Sequence, residues 1–196
     1  MQAHFLRQVM TRQEIDLALS RIASELIKDH PDLKRIALVG IRRRGVPLAE
    51  TLQEKIRQLT GQRVDLGILD ITFYRDDLSL VDTQPVVGSS SLGFDVAERG
   101  VLLVDDVLFT GRTTRAALES ILDYGRPRTV QLAVLVDRGH RELPIQADYV
   151  GKYVETSSDE VVEVQFPPYD EEAGVFLTTK ELLSKAKQAE QGETPC

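Results

Sequence analysis

Apolar positions along the chain follow two alternating periods. Ile15, Leu19, Ile22 and Leu26 stand three or four residues apart, as on one face of an amphipathic helix, and Thr11-Arg-Gln-Glu14 ahead of them is a capping box. This helix is expected to run to about Asp29 and stop before Pro31. Arg35–Gly40 is then an almost unbroken apolar run, the mark of a strand covered on both faces. Gly45 and Pro47 open a second helix, with Leu48, Leu52, Ile56 and Leu59 facing inward and Gly61 ending it. Val64–Thr72 predicts the next strand. From Tyr74 to about Arg99 the periodicity dissolves into Asp, Ser, Gly and Pro, a loop of a length that compact domains keep for function.

The two periods then return. Val101–Val104 runs apolar into Asp105 and Asp106, and a helix from Arg112 is expected to bury Ala117, Leu118, Ile121 and Leu122 and to end at Gly125. Thr129–Val136 reads as a buried strand, and Tyr149-Val150 as another after a polar excursion. Val161–Phe166 is expected to be the last strand. Thr178-Thr-Lys-Glu181 predicts the cap of a final helix carrying Leu182, Leu183 and Ala186, with Gln191–Cys196 frayed. Strands alternating with helices predict an α/β fold, a mostly parallel central sheet flanked by helices.

The totals narrow the class. With 196 residues and ordinary globular composition, one domain with a sizeable core is expected. No apolar run approaches the ~20 residues needed to cross a bilayer, and the first residues lack the pattern of a secretory leader. The single cysteine, Cys196, fits a reducing compartment, so a cytoplasmic protein with no membrane partner is expected. Residues 155–196 carry ten acids against three lysines, the whole of the net −7, and the rest of the chain is balanced. That distribution argues against broad nucleic-acid affinity and leaves room for a local RNA site built on arginines.

The chemistry gathers where strands give way to helices. Asp105 and Asp106 end a buried strand, and burying an unpaired polar group costs roughly 2–7 kcal/mol even without charge, so something must satisfy them. Val107-Leu108-Phe109 leads into Thr110-Gly111-Arg112-Thr113-Thr114 at the start of a helix, whose free N–H groups and dipole suit an anion. Threonines that merely cap the helix are the plainer alternative. Arg42-Arg43-Arg44-Gly45 also lies between a strand and a helix, at the same expected edge of the sheet, and reads as a second anion trap or as a solvated basic turn. With His4, His30 and His140 the only histidines, no metal cluster is visible, and His140 reads as a loop hydrogen-bonding residue.

Val101–Thr114 resembles the phosphoribosyl-pyrophosphate (PRPP) signature of the type I phosphoribosyltransferases. Together with Ile71–Ser79 and Gln131–Ile145, the chain from about residue 10 to 166 is similar to the pyrimidine-operon attenuation regulators that are also uracil phosphoribosyltransferases. Phe109 stands where that family often has tyrosine. The resemblance implies a type I phosphoribosyltransferase-like fold with a long lid loop and a small hood. It places the phosphoribosyltransferase domain, hood included, at 1–166, and an acidic C-terminal extension with a short helix at 167–196.

The resemblance also implies the reaction of uracil with PRPP to give UMP and pyrophosphate, assisted by Mg²⁺ carried mainly by PRPP, with Asp105 and Asp106 as its candidate protein ligands. Asp105, Asp106 and Arg75 of the lid are then the catalytic candidates. PRPP binding falls to Arg43, Arg44, Gly45 and the run from Asp105 and Asp106 through Val107, Leu108, Phe109, Thr110, Gly111, Arg112, Thr113 and Thr114. Val136, Asp137, Arg138, Gly139 and Val162 are the uracil and nucleotide candidates, with Arg138 expected to cover the ring. The family's second activity implies binding of a pyrimidine leader mRNA under UMP or UTP control, for which Arg21, Arg43, His140 and Arg141 are candidate contacts, and association as a homodimer or higher homo-oligomer. An enzyme without RNA regulation, and a PRPP-sensing regulator without catalysis, remain open alternatives.

Overall fold

The computed structural model describes residues 5–72 and 90–185. Its elements are β1 (Arg7–Thr11), α1 (Arg12–Asp29), β2 (Ile36–Ile41), α2 (Gly45–Thr60), β3 (Asp65–Leu69), β4 (Gly100–Leu108), α3 (Arg112–Asp123), β5 (Thr129–Asp137), β6 (Tyr149–Tyr153), β7 (Glu160–Gln165) and β8 (Gly174–Thr179). Five strands form a wholly parallel sheet in the order β3-β2-β4-β5-β6. No helix among the described residues is long and apolar enough to cross a membrane.

Alternation along β4 divides the core between the two faces of this sheet. Leu102 and Val104 face α1 and α2, packing with Ile15, Ile22, Leu48 and Leu52. Val101 and Leu103 face α3, packing with Ala117 and Ile121 and with Leu92 and Val96 of the long connection. The predicted faces hold for most of their positions. Leu59 and Leu122 are the corrections, 60% and 56% exposed: each sits in the last turn of its helix, where no described element packs over it.

The order of strands has a functional consequence. After β2 the chain passes through α2 to β3 on one side, and after β4 it passes through α3 to β5 on the other. With α2 and α3 on opposite faces, a crevice opens at the carboxyl ends of β2 and β4, the point where open α/β sheets take their ligands.

A second, antiparallel sheet of order β1-β8-β7 forms the hood. Its inward residues Met10, Val162, Val164, Val175 and Leu177 join the core on the α1 side. Val161–Phe166 is therefore not the last strand. β8, from the stretch read as an extension, lies between β1 and β7 and pairs with both. The final helix also begins one residue late: Thr178 is buried in β8, and it is the Thr179 hydroxyl that accepts the Leu182 N–H at 3.2 Å, with residues 180–185 helical. Ala186 and Gln191–Cys196 lie outside the described residues.

Candidate functional site

The two strand-to-helix loops open side by side, because β2 and β4 are parallel neighbours with Gly40 opposite Val104. Gly45 makes that neighbourhood possible. A Cβ built there would stand 2.2 Å from the Val104 carbonyl oxygen and 3.3 Å from the Asp105 Cα, so the first turn of α2 rests directly on the end of β4.

The three helices begin in different ways. At α1 the capping box is complete: the Thr11 hydroxyl accepts the Glu14 N–H, and Glu14 accepts the Thr11 N–H at 2.8 Å. At α2 and α3 the positions before the helix are Arg44 and Gly111, and neither helix has a side-chain cap. A missing cap costs typically ~1 kcal/mol, so two uncapped helices at one crevice leave backbone donors for an anion. Gly111 has φ +93, a conformation that suits glycine. The Thr110 hydroxyl accepts the Arg112 N–H at 3.4 Å, a long hydrogen bond one position ahead of the Gly111 cap. Val107 to Thr114 line a cavity of about 340 Å³, and every one of these eight residues is a predicted PRPP contact.

Between the loops stand the two acids. Asp105 is 8% exposed, and its carboxylate accepts the Asp106 N–H at 2.9 Å. Asp106 accepts the Val107 N–H at 2.8 Å, and its carboxyl lies within hydrogen-bond reach of Asp105. Burial pushes the Asp106 carboxyl above its ordinary range, against the pull of its hydrogen bond with Asp105 and the charge of Arg44. Among the described residues no three metal-ligating side chains converge. The protein therefore offers no closed cage. Adjacent carboxylates at a strand tip do fit an octahedral Mg²⁺ that keeps waters and takes other oxygens from substrate phosphates.

The three arginines of the first loop have different surroundings. Arg42 pairs with Asp70, just beyond β3, at 3.6 Å. Arg43 is exposed and pairs with no carboxylate among the described residues. Arg44 is partly buried and reaches Asp170 of the hood connection at 3.2 Å. Burial works against its charge, but Asp170, Asp106 and Glu163 outweigh it and raise its pKa. Asp170 and Glu163 are site residues that sequence reasoning missed. Asp170 stands 126 residues from Arg44 in sequence, and no local pattern marks it.

The β5 loop is held by its own side chains. Asp137 accepts the Gly139 N–H at 3.0 Å and pairs with Arg141. Arg141 also donates to the carbonyls of Phe109 and Ile145. Arg138, 5% exposed, stacks its guanidinium 4.1 Å from the centre of the Phe109 ring and donates to the carbonyls of Ser157 and Glu160. Burial lowers its pKa, and its Nε–H has no partner. In the structure Arg138 therefore covers Phe109, joining the loop after β4 to the loop after β5. His140 meets the Thr156 carbonyl at 2.7 Å and the edge of Phe109. A cavity of about 510 Å³ runs along this loop past Asp137, Arg138, Gly139, Arg141 and Tyr153.

Several predicted residues are not brought together. Val162 is buried in the hood core, and it is the Glu160 carbonyl, two residues earlier, that reaches Arg138. Arg21 lies on α1 and donates to the carbonyls of Val150 and Gly151, away from Arg43 and from the His140–Arg141 loop. Arg75 and the rest of the Phe73–Ser79 lid stretch lie outside the described residues. A larger groove of about 690 Å³ between α1, α2 and the β7–β8 connection includes neither acid nor any residue of the phosphate loop. The crevice between β2 and β4 is the better site, because charge, open helix ends and buried carboxylates converge there.

Comparison with known proteins agrees with this geometry. Residues 7–171 match the model of the phosphoribosyl transferase domain family. The chain is 55% identical over 175 residues to the bifunctional protein PyrR of Pelotomaculum thermopropionicum, covering 89% of this chain and 97% of that one. It is 51% identical over 171 residues to the protein of the same name from Caldicellulosiruptor bescii, covering 87% and 94%. Among solved structures it is similar in fold to a hypoxanthine phosphoribosyltransferase from Trypanosoma cruzi in a ternary substrates complex, with TM-score 0.71, 17% identity and coverage of 92% and 98%. A hypoxanthine phosphoribosyltransferase from Staphylococcus aureus gives TM-score 0.68 at 20% identity, covering 91% and 96%.

Proposed function

The chain belongs to the phosphoribosyl transferase domain family and, within it, to the bifunctional PyrR proteins, and on that premise we propose that it transfers phosphoribose from PRPP to uracil. The products are UMP and pyrophosphate. The observation that carries this reading is the crevice itself: two helix ends without side-chain caps flank Asp105 and Asp106, with Arg44 beside them. PRPP has a phosphate at one end and a pyrophosphate at the other, and the spacing of two anion seats about a pair of acids suits that shape.

In this reading the open end of α3, from Thr110 to Thr114, seats the 5-phosphate. Asp105 and Asp106 orient the ribose hydroxyls. Arg44 and the amides at Gly45 meet the pyrophosphate as negative charge builds on it. Asp105 and Asp106 would hold the Mg²⁺ that accompanies PRPP, which would supply further neutralisation of that charge. The uracil ring lies against the backbone edge of Val136–Gly139, with Arg138 and Phe109 closing one side. N1 of uracil forms the bond to the anomeric carbon as the bond to pyrophosphate breaks, and the N1 proton passes to solvent or to the departing pyrophosphate. None of the described side chains is needed as a covalent nucleophile, and the acceleration comes from positioning and electrostatics. The setting is the cytoplasm, and the acting form is a homo-oligomer.

The test is turnover of uracil, hypoxanthine, adenine and orotate, each with PRPP and Mg²⁺. Release of pyrophosphate and formation of UMP with uracil alone is expected; a preference for a purine or orotate would overturn the assignment.

The second activity we propose is binding of a pyrimidine leader RNA under uridine-nucleotide control, in keeping with the bifunctional relatives. The observation that favours it is Arg43, exposed beside the nucleotide crevice and free to meet a phosphate or an unstacked base. His140 and Arg141 stand in the β5 loop, where a bound nucleotide alters the surface that an RNA meets. A gel shift that weakens steeply with salt and tightens with UMP is expected. No shift at low salt leaves the enzyme alone.

A further inference from the structure

Arg44 is gripped from the hood. Its Nε donates to Asp170 Oδ2 and its Nη2 to Asp170 Oδ1, each at 3.2 Å, a fork-to-fork pairing that sets the plane of the guanidinium as well as its position. Asp170 is itself anchored: its Oδ2 also accepts the Phe166 N–H at 2.7 Å, across the turn that follows β7. Both side chains are largely buried, 31% and 19% exposed. The fork uses two of the five N–H donors of the guanidinium and leaves the others for a ligand. It is also the contact through which the β7–β8 connection touches the loop after β2.

We propose that Asp170 is a positioning residue of the pyrophosphate site, one that orders Arg44 in advance so that its remaining donors meet the departing group. An arginine without this partner would have to be ordered as the anion arrives, which weakens binding; one held beforehand is already in place. The Phe166 N–H matters here because it fixes Asp170 to the hood backbone, so the pairing is a brace between two elements. The opposite role, a carboxylate that competes with pyrophosphate for Arg44, makes the opposite prediction for affinity.

This inference rests on the assignment of Arg44 to pyrophosphate, and the experiment separates the two. Binding of magnesium pyrophosphate and of UMP to the full chain is measured by calorimetry for the wild type, Asp170→Asn, Asp170→Glu and Arg44→Ala. Asp170→Asn is expected to weaken pyrophosphate binding about tenfold, with UMP binding unchanged, as for loss of a hydrogen bond to a charged group. Asp170→Glu keeps the charge but shifts the fork, and is expected to weaken pyrophosphate binding about threefold, less than Asp170→Asn does. In turnover, Asp170→Asn raises the KM for PRPP more than it lowers kcat. Pyrophosphate binding by Asp170→Asn that equals or exceeds the wild type overturns the proposal while Arg44→Ala still binds weakly. If Arg44→Ala binds pyrophosphate normally, the assignment of the whole loop fails instead. Should the amide not fold, Asp170→Glu decides, by a measurable loss against none.

Discussion

Gly45→Ala is the substitution whose effect the structure sets most directly. The added methyl would lie 2.2 Å from the Val104 carbonyl oxygen, whereas a carbon and a carbonyl oxygen in close contact sit about 3.3 Å apart, an overlap on the order of 1 Å. Nothing flexible can yield, because both sides of the contact are backbone: the first turn of α2 and the end of β4. Gly40 closes the other direction, since its own Cβ position is 2.5 Å from the Val46 Cα. Overpacking of this kind costs typically 1–3 kcal/mol, and in a chain of this size each kcal/mol lowers the melting temperature by roughly 2–4 °C. A fall of about 2–12 °C is therefore expected by calorimetry.

The larger effect falls on the chemistry. Moving α2 by about 1 Å carries Arg44 and the amides at Gly45 away from Asp105 and Asp106, and a misplacement of that size can cost on the order of 100-fold in rate. UMP formation from uracil and PRPP is the assay. Leu59→Ala, in the exposed last turn of the same helix, is the control, with a stability change within about 0.5 kcal/mol and unaltered turnover. If Gly45→Ala keeps both the melting temperature and the rate of the wild type, the placement of the loop against β4 is wrong.

Three further outcomes follow from the same geometry. The double variant Asp105→Asn, Asp106→Asn should lose turnover while its circular dichroism stays native-like and it still unfolds cooperatively; full activity would refute the roles given to these acids. Burial raises the folded pKa of Asp106 above its ordinary 3.8, so the folded chain holds that proton more tightly than the unfolded chain does. The ionised carboxylate thus lowers stability by an amount that builds up as pH rises from 3.8 through the folded value. Asp106→Asn alone should therefore melt higher than the wild type at pH 7, a gain that fades below about pH 4; a gain that grows on acidification would contradict the sign. Arg138→Met removes the stacking on Phe109 and strips the Ser157 and Glu160 carbonyls of their donor. It should cost about 2–3 kcal/mol in denaturant unfolding and raise the KM for uracil, and an unchanged KM would detach Arg138 from the base loop.

Most of the sheet and its helices were legible along the chain because their signals are local. The capping box at Thr11–Glu14, the apolar spacing from Ile15 to Leu26 and the stop before Pro31 each act within a turn or two, and α1 runs from Arg12 to Asp29. Buried parallel strands announce themselves as continuous apolar runs, as Val101–Val104 does. The phosphate loop was legible for the same reason: strand end, glycine and helix start are consecutive, and the cavity at 107–114 is lined by one stretch of chain.

What depends on distant partners was not legible. β1 and β8 are short strands with little pattern of their own, and the pairing of Arg7 with Leu177 joins residues at opposite ends of the chain. The 174–179 stretch is rich in strand formers, but the capping pattern Thr178-Thr-Lys-Glu181 overlaps its end and points to a helix; only pairing with β1 and β7 makes it a strand. Likewise two of the three acids that act on Arg44, Asp170 and Glu163, come from the hood, and the stacking of Arg138 on Phe109 joins two loops. Local chemistry thus determined where the open helix ends lie and which strand tip carries the acids. Only tertiary packing decided which side chains brace them, because pairing energy between distant segments leaves no mark on the sequence beside either one.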